Sequence, residues 1–585
     1  MTQPERKTER YILADLKLDT ALHIGTGKGG NPTDSPLRRA SDGRLVLSGR
    51  SLGGALRTLA TRLAPRLGLG TCKALIAGHE ETPCRCDVCR LFGELYPSEE
   101  DAGAQGGTAS LLWISDAYAK EGEPQTHVRD GVGIARNRGT AAANVKFDLE
   151  VALRDTVFSV RMRLVDTEPS DDADKRAMLL VAALDEWAAG RGRLGGNVAR
   201  GLGRFTLTIT GCKRTQVETG EQLIAFLKSD RPWALGVEDS EWLERSRADR
   251  QGKIQPWRKE APMAGGFVMV EFTLGSTGPF LINDPLVAAL SGFDHAPLLE
   301  VAFGDNRRPV LSGGSLRGAL RSRAEKIART LATRKHQTRE AFLEHCPACD
   351  PLVGQKEATL ASCDARLSIS DEDEVPEEAL CLSCRLFGST RRGSRLWVDD
   401  ATWDAPDPTV DDWKAQDFLA IDRFTGGGLD GAKFDAAPLT KARFTARLTL
   451  YDPKEWELGW LLLVLRDLAE GEIPIGFGAA KGYGRARASG FQWTVGYLKE
   501  GDVPDTIVLP EKREPSGVYQ LAKLTAATGV VPAEWQAQTW ITDFKAKAEA
   551  FDLHEKLGAL KRDTFFDEDG LLLRLYGLPS VGGER

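Results

Sequence analysis

Two kinds of residue could do chemistry here, thiols and loop carboxylates. Cys346-Pro-Ala-Cys349 and Cys381-Leu-Ser-Cys384 are two C-x-x-C pairs. Each such pair supplies two corners of a tetrahedron, which is the strong zinc signature. Cys72, Cys84, Cys86 and Cys89 offer four more thiolates, with His79 as a substitute ligand. A closed four-thiolate set leaves no position for water, so the expectation is two structural zinc sites that serve folding, with buried free thiols as the alternative. Cys212 and Cys363 are left without a role. Among the carboxylates, Asp34 in GGNPTDSPLRR lies two before Pro36, Asp294 in SGFDHAPLLE lies three before Pro297, and Asp284 in LINDPLV directly precedes Pro285. A loop Asp near Pro forms a turn, or it holds a divalent cation against a phosphate or helps to activate a hydroxyl. His295, beside Asp294, suits acid–base work, although a lone loop histidine is more often incidental. His23 in ALHIG is set against Phe280 and reads as packing.

The elements that must position these residues are written twice. LSGRSLGGALRT (Leu47 to Thr58) matches LSGGSLRGALRS (Leu311 to Ser322), and CRLFG occurs at Cys89 and again at Cys384. IARNRGTAAANVKFD (Ile134 to Asp148) matches IDRFTGGGLDGAKFD (Ile421 to Asp435), and LGGNVARGLGRF (from Leu194) matches IGFGAAKGYGRA (from Ile475). Four blocks in one order mean a duplication. The expected layout is a first domain over about 10–212 with a zinc insertion near 70–90, a linker over 213–265, a second domain over 266–490 with an insertion near 340–386, and a partly helical tail over 491–585. Each copy opens on an alternating strand (ERYILADLKLDTALHIG, GFVMVEFTLGSTGPFLI), followed by an amphipathic helix with Ser51 or Ser315 as N-cap. A second amphipathic helix, a Gly-rich loop and a last strand follow. This order predicts an α+β fold of two tandem ferredoxin-like domains, the layout that RNA-recognition modules share.

In the Gly-rich loops, Arg200 and Arg204 of one copy match Lys481 and Arg485 of the other. Exposed N–H groups with such cations can face phosphates, or the glycines can serve a tight connection. Arg136 and Arg138 match Arg423 and its surroundings, with Phe424 adjacent. This basic, Gly-flanked segment can touch an RNA backbone and stack bases, or be a solvated loop.

Composition sets the frame. With 585 residues, 42% apolar and 28% charged, the chain reads as a globular protein of at least two domains. A net charge of −7 argues against a protein basic all over but allows a local basic groove. No apolar run is long enough for a membrane helix, and the polar MTQPERKTER start has no signal-peptide core, so a cytoplasmic location is expected. Clustered cysteines then point to metal rather than disulfides.

Taken together, LHIGTG, LSGRSLGGALR, IARNRGTA…FD and the terminal G-x-G-x-x-x-G-x-G-R loop resemble the RAMP superfamily of CRISPR-associated proteins over most of 10–490. Within it they resemble backbone subunits of type III effector complexes, in a tandem fusion similar to those of subtypes III-D and III-E. The resemblance implies a guide crRNA held by its phosphates and splayed bases, a complementary target RNA, further effector subunits, and one magnesium- or manganese-dependent cut per copy. It implies Asp34 and Asp294 as cutting residues, with Asp284 as a rival in copy two, whose loop is longer than the family pattern. It makes Ser51, Ser315, Arg136, Arg138, Arg200, Arg204, Arg423, Phe424, Lys481 and Arg485 candidate guide contacts. The other readings are a guide-binding scaffold that does not cut, a processor of precursor guide RNA, and a zinc-ribbon protein that scaffolds other proteins.

Overall fold

A computed structural model describes residues 7–27, 33–72, 84, 86–94, 108–120, 126–136, 138–167, 170–215, 217, 219–257, 263–301, 307–354, 360–367, 375–406, 409 and 412–552. The proposed ligand His79 and the tail beyond 552 lie outside them.

Copy one is built from β1 (Lys7–Leu18), α1 (Gly49–Leu63), β2 (Thr126–Ile134), β3 (Ala141–Ala152), β4 (Val157–Thr167), α2 (Asp171–Ala188) and β5 (Arg204–Thr215). β1 lies between β4 and β5, antiparallel to both, with Ile12 opposite Met162 on one side and Cys212 on the other. Its alternation is as the sequence implies: Ile12, Ala14, Leu16 and Leu18 are buried against α1 and α2. Cys212 faces this core, which gives it a packing role.

Copy two repeats the plan with β6 (Phe267–Ser276), α3 (Gly313–Lys335), β7 (Gln416–Ile421), β8 (Gly428–Ala436), β9 (Arg443–Tyr451), α4 (Glu455–Glu470) and β10 (Ala486–Tyr497). β6 is central between β9 and β10. In each copy a two-stranded hairpin, β2–β3 or β7–β8, stands apart from the main sheet.

One expectation is corrected at the first helices. Their N-caps are Ser48 and Ser312, because the helices begin at Gly49 and Gly313. Ser51 and Ser315 are the third helical residues, and each donates its N–H to the cap hydroxyl at 3.2 Å. The sequence carries Ser at both places, and only the backbone decides which one caps.

The two copies touch through buried charge. The copy-one hairpin crosses onto copy two, where Arg129 meets Asp400 at 2.6 Å and Glu300 at 3.7 Å, and Arg136 meets Glu325 at 2.7 Å. His127 Nε2 donates to Asp284 at 2.5 Å. Arg204 and Arg193 both reach Asp399, at 3.1 and 3.2 Å.

The segment after β10 joins both copies. β11 (Tyr519–Thr525) adds to β10, and α5 (Ala537–Glu549) lies on α4. Gly459 permits that approach, since a Cβ there would lie 2.0 Å from the Trp540 carbonyl oxygen. Trp460 and Phe544 stack at 4.9 Å beside the fully buried Trp540. Asp502 of this segment takes both terminal nitrogens of Arg66, at 2.8 and 2.7 Å, and both side chains are essentially inaccessible. Asp502 of the tail thus pins copy one. Removing one partner strands the other charge in the interior. Asp502→Ala is therefore expected to lower unfolding stability by about 3–5 kcal/mol in a urea titration. The apolar pair Arg66→Met with Asp502→Leu is expected to recover only part of that loss, because Asp502 also accepts the N–H groups of Leu498 and Lys499.

Candidate functional site

The described thiols gather into two groups, Cys72, Cys84, Cys86 and Cys89, and Cys349, Cys363, Cys381 and Cys384, with the sulfurs of each group within 4.8 Å of one another. Cys72 and Cys89 Sγ lie 3.4 Å apart, and Cys349 and Cys384 Sγ 3.5 Å. The edge of a zinc–thiolate tetrahedron with bonds of about 2.3 Å is about 3.8 Å, so both groups could hold zinc. Short helices set this geometry. Cys86 caps Asp87–Phe92 and accepts the Cys89 N–H, while Cys381 caps Leu382–Phe387 and accepts the Cys384 N–H. In each C-x-x-C the cap and the third helical residue therefore present their sulfurs together.

The rest of CRLFG follows from the same turn. Leu91 and Leu386 enter the core, and Gly93 and Gly388 end the helix at φ 79° and 77°. A Cβ on either glycine would lie within 2.8 Å of backbone at Ser110 or Ser394. Behind each group an α-helix arginine donates to the last sulfur, Arg57 to Cys89 at 3.3 Å and Arg321 to Cys384 at 3.7 Å.

The ligand set expected for copy two needs one correction. Cys346 is not among the gathered thiols. It donates to the Ala348 carbonyl and is packed with Phe342, Leu343 and Leu360. Cys363 takes its place, with its sulfur accepting from the Cys381 N–H at 3.3 Å and from Arg366 at 2.8 Å. The signal was in copy one, where a single C-x-x-C pair is completed by two separate cysteines.

The loop carboxylates are held identically in both copies. The Asp34 N–H donates to Asp148 Oδ1 at 2.6 Å, and the Asp148 N–H donates back to Asp34 Oδ2 at 3.0 Å. The Asp294 N–H donates to Asp435 Oδ1 at 2.8 Å, and the Asp435 N–H returns to Asp294 Oδ2 at 2.9 Å. Asp34 and Asp294 are both exposed. Each lock joins the loop to the hairpin strand β3 or β8. This brings together two aspartates more than 110 residues apart, and sequence reading missed the second of each pair. Asp284 lies elsewhere. It is buried, caps Pro285–Ser291 by accepting from Leu286 and Val287, and meets His127.

An imidazole accompanies each lock from a different position. In copy one, His23 Nδ1 donates to the Glu150 carbonyl at 2.7 Å, which leaves Nε2 to accept from the Ser35 hydroxyl at 3.0 Å. In copy two, His295 occupies the place of Ser35, and Leu281 that of His23. The backbone contacts fix that register: a Cβ on Gly195 would meet the His23 carbonyl, and one on Gly476 the Leu281 carbonyl. Phe280 therefore matches Leu22 and not His23. His295 lies 4.3 Å from the Phe477 ring, and burial there, with Lys481 nearby, pushes its pKa down.

The duplicated locks and thiol groups coincide with the result of a family comparison. A model of the RAMP superfamily matches residues 15–206 and again 262–487, well over half of the chain. The chain belongs to the RAMP superfamily. A search of the curated proteins returns no match.

Each RAMP repeat closes its Gly-rich loop on the strand end. Gly195, Gly203, Gly476 and Gly484 all have positive φ, and a Cβ on any of them would lie within 2.3 Å of a carbonyl oxygen. The glycines thus serve close packing. Two cations expected to contact RNA are engaged inside the protein. Arg136 is paired with the fully buried Glu325, and Arg204 with Asp399 and Asp19. Burial alone would raise the Glu325 carboxyl, but Arg321, Arg136 and Arg329 outweigh it and hold the carboxyl below its usual value. Arg138, Arg200, Arg423, Lys481 and Arg485 are exposed, and Phe424 is 100% exposed. Lys481 stands 4.2 Å above the Phe434 ring. Sequence reading also missed Arg317, whose Nε has no partner; burial and the nearby Arg321 and Arg200 push its pKa down to about 9. Among the described residues, no helix is long and apolar enough to cross a membrane.

Cys363 belongs to the copy-two group that could hold zinc, and Cys346 does not. Cys363→Ser is expected to remove about one zinc equivalent per chain in a chelator-release assay and to lower the melting temperature. Cys346→Ser is expected to leave the zinc content unchanged.

Proposed function

We propose that this RAMP protein is a tandem backbone subunit of a type III CRISPR effector. In this reading it holds a guide crRNA along its two repeats and cuts the paired target RNA at up to two sites. Membership of the superfamily fits a CRISPR effector subunit, and the central strand flanked antiparallel on both sides fits a ferredoxin-like repeat over the domain limits expected from sequence. The observation that carries the cutting role is the aspartate lock. It occurs twice, exposed both times, on loops whose backbone is tied to the hairpin. A turn-forming Asp needs no such partner, whereas a carboxylate that must meet a phosphate within a fraction of an ångström does.

Asp34 and Asp294 would then hold magnesium or manganese, which when bound supplies positive charge to the scissile phosphate. Asp148 and Asp435 hold the loop. His23 with Ser35 in copy one, and His295 in copy two, are within the same neighbourhood as proton carriers. A neutral His295, favoured by its lowered pKa, is the form that accepts a proton. Arg138, Arg200, Lys481 and Phe424 form the exposed guide-contact set. The two thiol groups would carry structural zinc.

The test is cut mapping on the assembled complex with labelled complementary RNA and magnesium or manganese. Asp34→Ala and Asp294→Ala are each expected to erase one distinct cut, by about 100-fold or more, while guide binding is retained. If every cut survives in the double variant, the chain is a guide-binding scaffold and the chemistry belongs elsewhere. A second comparison separates positioning from direct action. Asp148→Asn keeps an acceptor for the Asp34 N–H and is expected to retain most of the copy-one cut. Asp148→Ala is expected to lose about tenfold, the scale of one loosened alignment contact.

A further inference from the structure

The contact between the repeats is a template for the chain's outer ends. Copy one presents cations, and copy two receives them on carboxylates. The corresponding free surfaces can be read residue by residue, because the repeats share backbone contacts. The Gly49 N–H bonds Asp116 Oδ1 at 2.8 Å just as the Gly313 N–H bonds Asp400 Oδ1 at 2.8 Å. The Thr26 N–H bonds the Pro36 carbonyl as that of Asp284 bonds Ala296.

On the giving side, copy two keeps its charge at three of five positions, with Gln416 in place of Arg129 and Pro474 in place of Arg193. The hairpin pairings place Lys414 at the position of His127 and Arg423 at that of Arg136, and the Gly-rich loop places Arg485 at that of Arg204. All three are exposed, and none has an ion-pair partner among the described residues. On the receiving side, copy one has lost its charge. Thr26 stands for Asp284, Ala40 for Glu300, Thr61 for Glu325 and Ser115 for Asp399, and only Asp116 keeps its counterpart Asp400. Seating Arg423 against Thr61 and Arg485 against Ser115 would desolvate cations with no counter-charge, which disfavours that pairing.

We infer that the free basic face of copy two docks a different chain, one whose receiving surface carries the carboxylates that copy one lacks, and that this protein does not extend itself head to tail. The inference rests on the proposed function only in making that neighbour a further subunit of the same assembly. It stands on charge complementarity with the internal contact and not on cleavage.

The test uses the full chain, nuclease-treated and free of guide and target, in sedimentation velocity over a concentration series. The wild type is expected to remain monomeric. The variant Thr26→Asp, Thr61→Glu, Ser115→Asp restores three of the four missing carboxylates and is expected to self-associate roughly tenfold or more tightly than wild type. Adding Arg423→Glu is expected to return it to monomer. A milder variant, Thr26→Asp with Ser115→Asp, leaves α1 untouched and is expected to show the same change in weaker form, so a folding failure of the first variant does not end the test. Self-association of the wild type that is abolished by Arg423→Glu would overturn the inference, as would a folded carboxylate variant that stays monomeric. Either result leaves the cleavage reading standing, because no RNA is present.

Discussion

Asp400 lies where the two repeats meet, and it has three claims on it. It accepts the first N–H of α3, it binds Arg129 from the hairpin of copy one, and it borders the Gly201 turn of the copy-one Gly-rich loop so closely that a Cβ there would lie 2.6 Å from its oxygen. A buried carboxylate is tolerated only when charge and hydrogen bonds satisfy it together. Meeting that condition ties the start of a copy-two helix to the hairpin and the Gly-rich loop of copy one. The distance and angle between the repeats, and so between the two aspartate locks, follow from it.

The remaining ties support this junction from outside. Arg66 with Asp502, and Arg191 and Arg250 on the turn at Ser516 and Gly517, draw the segment after β10 back to copy one. The α5 helix covers α4 with tryptophan and phenylalanine rings, each buried large side chain contributing about 1.5–3 kcal/mol. The thiol groups act at a different place, joining the ends of short helices to α1 and α3 through Arg57 and Arg321. The common result is a set of ties that hold the two repeats and the segment after β10 to one another.

Duplication also let the copies drift. Copy one keeps His23 and Ser35 beside its lock, while copy two has Leu281 and His295, with Phe418, Phe434, Phe477 and Tyr483 gathered around Lys481. Gly131, Gly196 and Leu202 stand at three of those aromatic positions in copy one. The lock is common to both sites, whereas their surroundings differ. The same divergence leaves Thr26, Ala40, Thr61 and Ser115 where copy two has carboxylates, while Asp116 keeps the counterpart of Asp400.

The repeats, the α+β alternation, the amphipathic helices and the existence of two cysteine groups were legible in the sequence, because each depends on spacing within a few residues or on identity between copies. What sequence could not decide is which of several similar side chains meets which partner. Cys363 rather than Cys346 joins its group, Ser48 rather than Ser51 caps its helix, and Arg136 and Arg204 turn inward to Glu325 and Asp399. Asp148 and Asp435 end the same KFD in both copies, but nothing local names Asp34 and Asp294 as their partners. In most of these cases the deciding partner lies far along the chain, and a charge or thiol is assigned by the counter-charge and burial it meets only after folding. The sequence by itself determined the repeat and its elements, since those are local and periodic. The tertiary structure alone decided the pairings, since burial and counter-charge exist only when distant segments meet.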